Sequence, residues 1–170
     1  MPETRTAFGF SRTECDCEEC VLNCRYIPGY LIPSDLENIV SHLGYDDLLR
    51  FAMENLMASP GATVMADGQV FQIPTLVPQR QSDGACKFLG ENNRCSIHAA
   101  SPFGCAYFDC HQSRCESDRR SIAGLHAIAR EWEVGGLYAR VWMVLFSAGL
   151  IALSPAEAKK RMKASFTNAC

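Results

Sequence analysis

The sequence predicts a mainly α-helical fold with a small β-hairpin and an irregular, cysteine-rich centre that metal coordination would staple together. Three observations carry this prediction. Apolar residues recur at helical spacing on both sides of the centre, an Asp-Gly pair separates two β-prone runs, and the cysteines are clustered. Hydrophobic residues make up 48% of the 170 residues, which is enough to bury a core. The length predicts a single domain over 1–170.

The elements before the hairpin follow from capping and from periodic apolar residues. Residues 1–14 are predicted to form a loose polar arm. Ser34 and Glu37 have capping-box spacing before an apolar stripe, so a helix is expected to start after Ser34. A second helix is predicted over 46–58, and the Ser-Pro-Gly sequence at 59–61 is expected to stop it.

The elements after it follow from turn and breaker residues. Asp67-Gly68 predicts a hairpin turn within 62–73. Helical spacing resumes after the second cysteine cluster, and Gly135-Gly136 separates that helix from an apolar helix over 137–153. A proline after Ser154 opens a last helix, so residues 126–170 are predicted to be C-terminal helices.

Charge and hydropathy exclude some functions. The net charge is −3 and no basic stripe alternates with aromatic residues, so nucleic acid is not an expected partner. The uncharged run over 141–153 is too short for a membrane span. Residues 1–11 show no secretory signal. We therefore expect a cytoplasmic protein with reduced thiols, for which clustered cysteines indicate metal or redox chemistry.

The first cysteine cluster consists of Cys15, Cys17, Cys20 and Cys24. Cys17-x-x-Cys20 is the two-residue knuckle of zinc and iron–sulfur sites, because this spacing lets both sulfurs face one ion. Cys24 could reach the same ion from one helical turn, whereas Cys15 could project elsewhere. Disulfides are the alternative, but a Cys15–Cys17 bridge would be strained.

The second cluster is expected to meet the first in space, because neither closes a familiar site alone. Its cysteines are Cys86, Cys95, Cys105, Cys110 and Cys115. His98 and His111 lie among them and are either further ligands or surface residues. Residues 74–117 contain little periodic apolar sequence, so their order is expected to come from coordination. Cys170 lies apart and is predicted not to be a ligand.

Several short motifs occur in a fixed order over residues 15–125. They are Cys17-x-x-Cys20-x-x-Asn23-Cys24, Cys86-Lys-Phe-Leu, Cys95-Ser-Ile-His, Ser101-Pro102-x-x-Cys105 and Arg114-Cys115, with Gly124-Leu125 beyond them. This set resembles the YkgJ-type cysteine-cluster family, which has a CxxCxxCC signature and is described as a zinc- or iron-chelating domain. The resemblance implies a metal-binding region with the ligands Cys17, Cys20, Cys24, Cys86, Cys95, Cys105 and Cys115.

The sequence departs from that family pattern at three positions. Asn23 stands where the first cysteine of the CC pair belongs, His98 replaces a tyrosine, and Ser101 replaces the arginine of an Arg-Pro pair. The departure at Asn23 removes one ligand. Cys15 and Cys110, both outside the pattern, are the candidates to replace it.

The sequence therefore predicts a zinc- or iron-chelating cysteine-cluster protein. Iron or an iron–sulfur cluster is the favoured functional centre, because so many cysteines exceed what one zinc ion needs. A structural zinc module that binds an unknown protein partner is the first alternative. The second is an iron–sulfur-dependent protein-modifying enzyme that resembles flagellin lysine methylases. The chain has no GxGxxG, Walker or radical motif, but this absence argues only weakly against catalysis, because an iron–sulfur enzyme needs none of these motifs.

Overall fold

The computed structural model describes residues 8–13, 15 and 17–167, so the prediction for Cys170 lies outside the described residues. The helices are α1 Glu18–Tyr26, α2 Pro33–Leu43, α3 Leu48–Asn55, α4 Phe103–Ala106, α5 Arg114–Val134, α6 Leu137–Ser147 and α7 Pro155–Thr167. Two strands, β1 Leu56–Ala66 and β2 Gln69–Pro78, form one antiparallel hairpin. A mainly α-helical fold with a small hairpin and an irregular, cysteine-rich centre is confirmed.

Helix α2 starts at Pro33, not after the serine that follows it, so the predicted capping box is wrong. Pro33 takes the first helical position, where its missing N–H costs nothing. Asp35 caps the helix instead, because its Oδ2 accepts a hydrogen bond from the backbone nitrogen of Ile32 at 3.0 Å. The same oxygen accepts from the backbone nitrogen of Phe103 at 2.7 Å. This buried carboxylate therefore joins α2 to the start of α4.

The hairpin is longer than the sequence predicted. Its turn lies at Asp67-Gly68, as predicted, but β1 begins at Leu56, inside the range expected for the second helix. The Ser59-Pro60-Gly61 sequence does not stop a helix; it forms a bulge at which the strand register shifts. Gly61 has φ 79°, and a Cβ there would lie 1.7 Å from the carbonyl oxygen of Ile73. The bulge therefore needs glycine.

The segment between the hairpin and α5 is irregular, as predicted, but it contributes to the core. It contains a 3-10 turn, His98–Ala100, and the short helix α4. Its buried apolar side chains are Ala85, Phe88, Leu89, Ile97, Phe103, Ala106 and Tyr107. That the order of residues 74–117 comes from coordination stays a prediction, but side chains without periodic spacing reach the core from this irregular backbone and contribute apolar packing to it.

Residues 8–13 pack against this segment, so they are not a loose polar arm. The ring of Phe8 meets the ring of Phe103 edge-on, with 5.2 Å between the centroids. The backbone nitrogen of Thr13 donates a hydrogen bond to the carbonyl oxygen of Ala106 at 2.8 Å. Aromatic residues in an otherwise polar sequence thus anchor the arm beside the cysteines.

The C-terminal helices follow the predicted breaks, with one difference. Gly135-Gly136 separates α5 from α6, and α7 begins at its predicted proline. Helix α6 ends at Ser147 and does not extend to residue 153, because Gly149 takes a left-handed conformation and Ile151 forms a bridge to Ala58 of β1. None of the helices in the described ranges has the length and apolar character that crossing a bilayer requires.

Tyr138 ties the core together through its side-chain hydroxyl group. This group accepts a hydrogen bond from the backbone nitrogen of Leu76 at 2.7 Å and donates one to the carbonyl oxygen of Leu31 at 2.6 Å. Helix α6 is thereby joined to β2 and to the segment before α2. The largest fully buried side chains around it include Leu36, Ile39, Phe51, Leu56, Ile97, Phe103, Ile128 and Leu145.

Candidate metal centre

The structure sorts eight thiols into two groups that differ from the two sequence clusters. The compact group is Cys15, Cys17, Cys20 and Cys110. The wide group is Cys24, Cys86, Cys95 and Cys105. Each group takes thiols from both sequence clusters, so the expectation that the clusters meet in space is confirmed. All eight cysteines are free.

The compact group holds its sulfur atoms within reach of one ion. The Sγ of Cys110 lies 3.1 Å from the Sγ of Cys17 and 3.4 Å from that of Cys20. The donor atoms of Cys15, Cys17, Cys110 and His111 all lie within 4.8 Å of one another. This cluster of thiols beside an imidazole could hold a metal ion.

Backbone amides face the sulfur atoms of the compact group. The N–H of Cys20 lowers the pKa of Cys17 to about 6, with a further contribution from the thiol of Cys110. The backbone nitrogen of Cys110 donates to the Sγ of Cys20 at 3.4 Å. Such amide contacts stabilise a thiolate, which is the form of cysteine that binds metals. The Cys17-x-x-Cys20 knuckle therefore has the local geometry of a ligand pair.

Two thiols of this group, Cys20 and Cys110, have a raised pKa and hold their protons more strongly. Burial raises the pKa of Cys20, and the hydrogen bond with Cys17 raises that of Cys110 to about 11. The protons that these thiols share with Cys17 offset the repulsion between sulfur atoms at such short distances. A metal ion bound to all of them would take the place of those protons.

A hydrogen-bonded bridge fastens the arm beside the compact group. The Oγ1 of Thr13 donates to the Oδ2 of Asp109 at 2.7 Å, and the Oδ1 of Asp109 accepts from the backbone nitrogen of His111 at 2.9 Å. The bond from Thr13 is the main reason that the pKa of Asp109 is lowered. This bridge keeps Cys15 and Cys110 side by side, although they are far apart in sequence.

The wide group is assembled by backbone pairing. The backbone nitrogen of Cys86 donates to the carbonyl oxygen of Arg25 at 3.0 Å, which places Cys86 beside the helical turn that carries Cys24. The chain then reverses over 90–94, and Cys95 pairs with the segment that follows Cys86. These bonds bring α1 and the irregular segment to the same place.

Cys105 joins the wide group where two glycines touch. The backbone nitrogen of Gly29 donates to the Sγ of Cys105 at 3.2 Å. A Cβ on Gly29 would lie 2.1 Å from the carbonyl carbon of Gly104, and a Cβ on Gly104 would lie 2.5 Å from the backbone nitrogen of Tyr30. The loop after α1 and the start of α4 therefore approach more closely than any side chain would permit.

The four thiols of the wide group influence one another. Burial is the largest cause of the raised pKa of each, and it raises that of Cys86 to about 11. A charge on Cys95 or Cys24 raises the pKa of Cys86 further. Charges on Cys24, Cys86 and Cys95 act in the same way on Cys105. Mutual effects of this kind require that the four thiols lie near one another.

Both groups border one cavity of about 500 Å³. The cysteines that line it are Cys15, Cys20, Cys24, Cys86, Cys95 and Cys105. Apolar side chains such as Ile27, Phe88 and Leu89 form much of the remaining wall. Cys20 and Cys24 lie one turn apart on α1, so the two groups are neighbours along this wall.

Some residues singled out in the sequence lie elsewhere. Cys115 is exposed in the first turn of α5 and belongs to neither group, so its role as a ligand stays a prediction. His98 lines the cavity, whereas His111 faces the compact group. Spacing alone had favoured Cys24 over Cys15 as the partner of the Cys-x-x-Cys knuckle; the structure makes Cys15 its partner. The adjacent Cys110 and His111 were the sequence signal for a second ligand pair.

The compact group has the chemistry of a thiolate metal site. Soft sulfur donors beside an imidazole suit zinc and iron and disfavour hard cations such as Mg²⁺ and Ca²⁺. No family model, curated protein or solved structure matches the chain. Membership of the YkgJ-type family therefore stays a prediction from the order of short motifs.

Proposed function

We propose that this chain is a metalloprotein whose compact group binds one metal ion, Zn²⁺ or Fe²⁺, through Cys15, Cys17, Cys20 and Cys110. The observation that carries the proposal is the approach of the sulfur atoms, at 3.1 and 3.4 Å from Cys110 to its two closest partners. The alternative use of such thiols, a disulfide, would join only two of the four.

The size of the compact group favours a single ion over a polynuclear cluster. Sulfur atoms bound tetrahedrally to one zinc ion at about 2.3 Å lie about 3.8 Å apart. The donor atoms of Cys15, Cys17 and Cys110 all lie within 4.8 Å of one another, which is close to that spacing. An iron–sulfur cluster contains several iron atoms and bridging sulfides and would hold its cysteines further apart.

The ion has a structural task at this position. It would join the anchored arm, the start of α1 and the turn after α4, and would thereby reinforce the hydrogen bonds from Thr13 to Asp109 and from Cys110 to Cys20. Both Zn²⁺ and Fe²⁺ accept four thiolates in a tetrahedral arrangement. His111 stands beside the thiols and could complete the site if Cys20 did not bind.

Metal analysis of one pair of variants tests the proposal. The full chain, purified without air, is compared with Cys110→Ser and with Cys115→Ser, in which the same substitution lies outside the compact group. We expect Cys110→Ser to lose about one ion per chain and Cys115→Ser to lose none. Equal metal content in the two variants would contradict the proposal. Elemental analysis of the same samples identifies the ion.

A further inference from the structure

The geometry points to a second centre of a different kind: the wide group, Cys24, Cys86, Cys95 and Cys105, binds an iron–sulfur cluster. This inference goes beyond the single ion proposed for the compact group. It rests on the spread of the four sulfurs, on the cavity they face and on the backbone amides around them.

The wide group is too open for one ion. Within the described part of the chain, three or more donor atoms lie within 4.8 Å of one another only in the compact group. No three sulfurs of the wide group therefore lie within 4.8 Å of one another, whereas a single tetrahedral ion requires about 3.8 Å between its sulfur ligands. Nevertheless, these four thiols line one cavity and act on one another electrostatically. A metal cofactor larger than a single ion, bound to all four sulfurs, would satisfy both observations.

The number of ligands indicates which kind of metal cofactor the wide group would bind. Four thiolates cannot complete the coordination of two or more separate ions, since each would be left short of ligands. Bridging sulfides supply the missing donors in an iron–sulfur cluster, which needs only four cysteines from the protein. The cavity of about 500 Å³ has room for such a cluster, and apolar side chains such as Ile27 and Leu89 would screen it from water.

The surroundings suit a negatively charged cluster. The backbone amide of Phe88 faces the sulfur of Cys86, and that of Ile97 faces the sulfur of Cys95. Each amide lowers the pKa of its cysteine and so counteracts part of the rise that burial causes. The N–H of Gly29 donates to the Sγ of Cys105. Amide donors to cysteine sulfur are a recurring feature that tunes iron–sulfur sites.

Positive charge is also at hand. The positive charge of Arg12 lowers the pKa of Cys95, and that of Arg80 lowers the pKa of Cys86, so that each counteracts part of the rise caused by burial. Both arginines belong to separate segments, and Arg80 is itself half-buried. They would offset part of the charge of four thiolates in a site from which water is largely excluded.

Sulfide analysis separates this inference from the proposed function. The full chain is loaded without air with Fe²⁺ and sulfide, and acid-labile sulfide, visible absorption and the electron paramagnetic resonance of the reduced protein are measured. We expect the unaltered chain to be brown and to contain sulfide. Cys95→Ser should lose the sulfide and colour and keep one metal ion, whereas Cys110→Ser should lose the ion and keep the sulfide.

The outcomes against the inference are distinct from those against the compact site. Absence of sulfide and colour in the loaded unaltered chain would overturn it, even if one or two Zn²⁺ or Fe²⁺ ions were bound. Equal sulfide in Cys95→Ser and in the unaltered chain would overturn it as well. If Cys95→Ser fails to fold by circular dichroism, Cys24→Ser replaces it, since Cys24 lies in a helix with little buried surface.

Discussion

At the scale of single residues, Gly29 and Gly104 set the position of Cys105. Their backbones are in direct contact, and the N–H of Gly29 reaches the sulfur of Cys105 at 3.2 Å. A methyl group on either glycine would overlap backbone atoms, which cannot rotate away as a side chain can. Steric contact between the loop after α1 and the start of α4 therefore sets the position of a thiol that α4 itself carries.

We predict that Gly29→Ala damages the wide group and spares the compact group. The new Cβ would push α4 away from the loop after α1, because it would lie 2.1 Å from a backbone carbon atom. Overpacking of this kind costs about 1–3 kcal/mol of the free energy of unfolding. Measured after loading with Fe²⁺ and sulfide, the variant should hold less sulfide than the unaltered chain and the same single ion.

Gly68→Ala is the control for general destabilisation. It strains the hairpin turn, where φ is 72°, but its Cβ would meet no atom within 4 Å. This strain costs about 1–2 kcal/mol at a place far from the thiols in the fold. Loss of sulfide in both variants would attribute the effect to stability and not to the position of Cys105.

Residues of the site differ in how well the sequence predicts them. The Cys17-x-x-Cys20 knuckle could be predicted, because two ligands that share one turn are defined by local spacing alone. The division of Cys20 and Cys24 between two groups could not, because it depends on which distant segments approach α1. Cys15 and Cys110 are placed by Thr13 and Asp109, a contact between side chains with no local sequence signal.

At the scale of elements, α1 is the helix most exposed to loss of metal. It carries Cys20 toward one group and Cys24 toward the other, and Cys20 is its only buried residue. Its first turn begins at Cys17, which provides no side-chain cap. By contrast, α6 buries Tyr138, Ala139, Val141 and Leu145. In the proposed metalloprotein we therefore expect coordination to supply most of the stability of α1, since short helices are marginal alone.

We predict that removal of metal accelerates hydrogen exchange in α1 and not in α6. Backbone amides of residues 21–26 should lose protection in chelator-treated protein, because the two cysteines that anchor α1, Cys20 and Cys24, are then free thiols. Amides of α6 should be unchanged, since apolar packing holds that helix. Hydrogen exchange followed by mass spectrometry of peptides from the two helices measures both. Protection of α1 that survives metal removal would show that packing suffices.

Elements also show the limits of local sequence signals. The hairpin turn was predictable, because a two-residue turn of this kind requires left-handed backbone at both positions and an Asp-Gly pair readily adopts it. The φ values of Asp67 and Gly68 are 50° and 72°. The length of β1 was not predictable, because Leu56 directly follows residues with a helical pattern. Its place in the strand is accompanied by burial in the core, which local sequence does not show. In the same way, Pro60 indicates a helix stop when only its local sequence is considered, but in the fold it lies in a bulge of β1, where a strand can accommodate proline.

At the scale of the whole molecule, different parts of the chain are held together by different interactions. The hairpin, α5 and α6 are joined by apolar packing and by bonds from side chains to strand carbonyls. The Nε1 of Trp132 donates to the carbonyl oxygen of Pro74 at 3.1 Å, and that of Trp142 donates to the carbonyl oxygen of Ser59 at 2.9 Å. The cysteine-bearing segments are partly buried, and in the proposed metalloprotein coordination adds to what holds them together. Metal loss should therefore loosen one part of the molecule first.

Tryptophan fluorescence reports this difference, because Trp132 and Trp142 pack edge-on against each other with 5.4 Å between their ring centroids and neither lines the cavity. We predict that chelator-treated protein keeps the emission maximum of metal-loaded protein, while its far-ultraviolet circular dichroism falls by the contribution of a short helix. Urea should then shift the emission to the red in one transition. An emission shift caused by the chelator alone would mean that metal sites and core unfold as one cooperative unit. In that case the free energy of metal binding would stabilise the entire fold and not only the segments that carry the thiols.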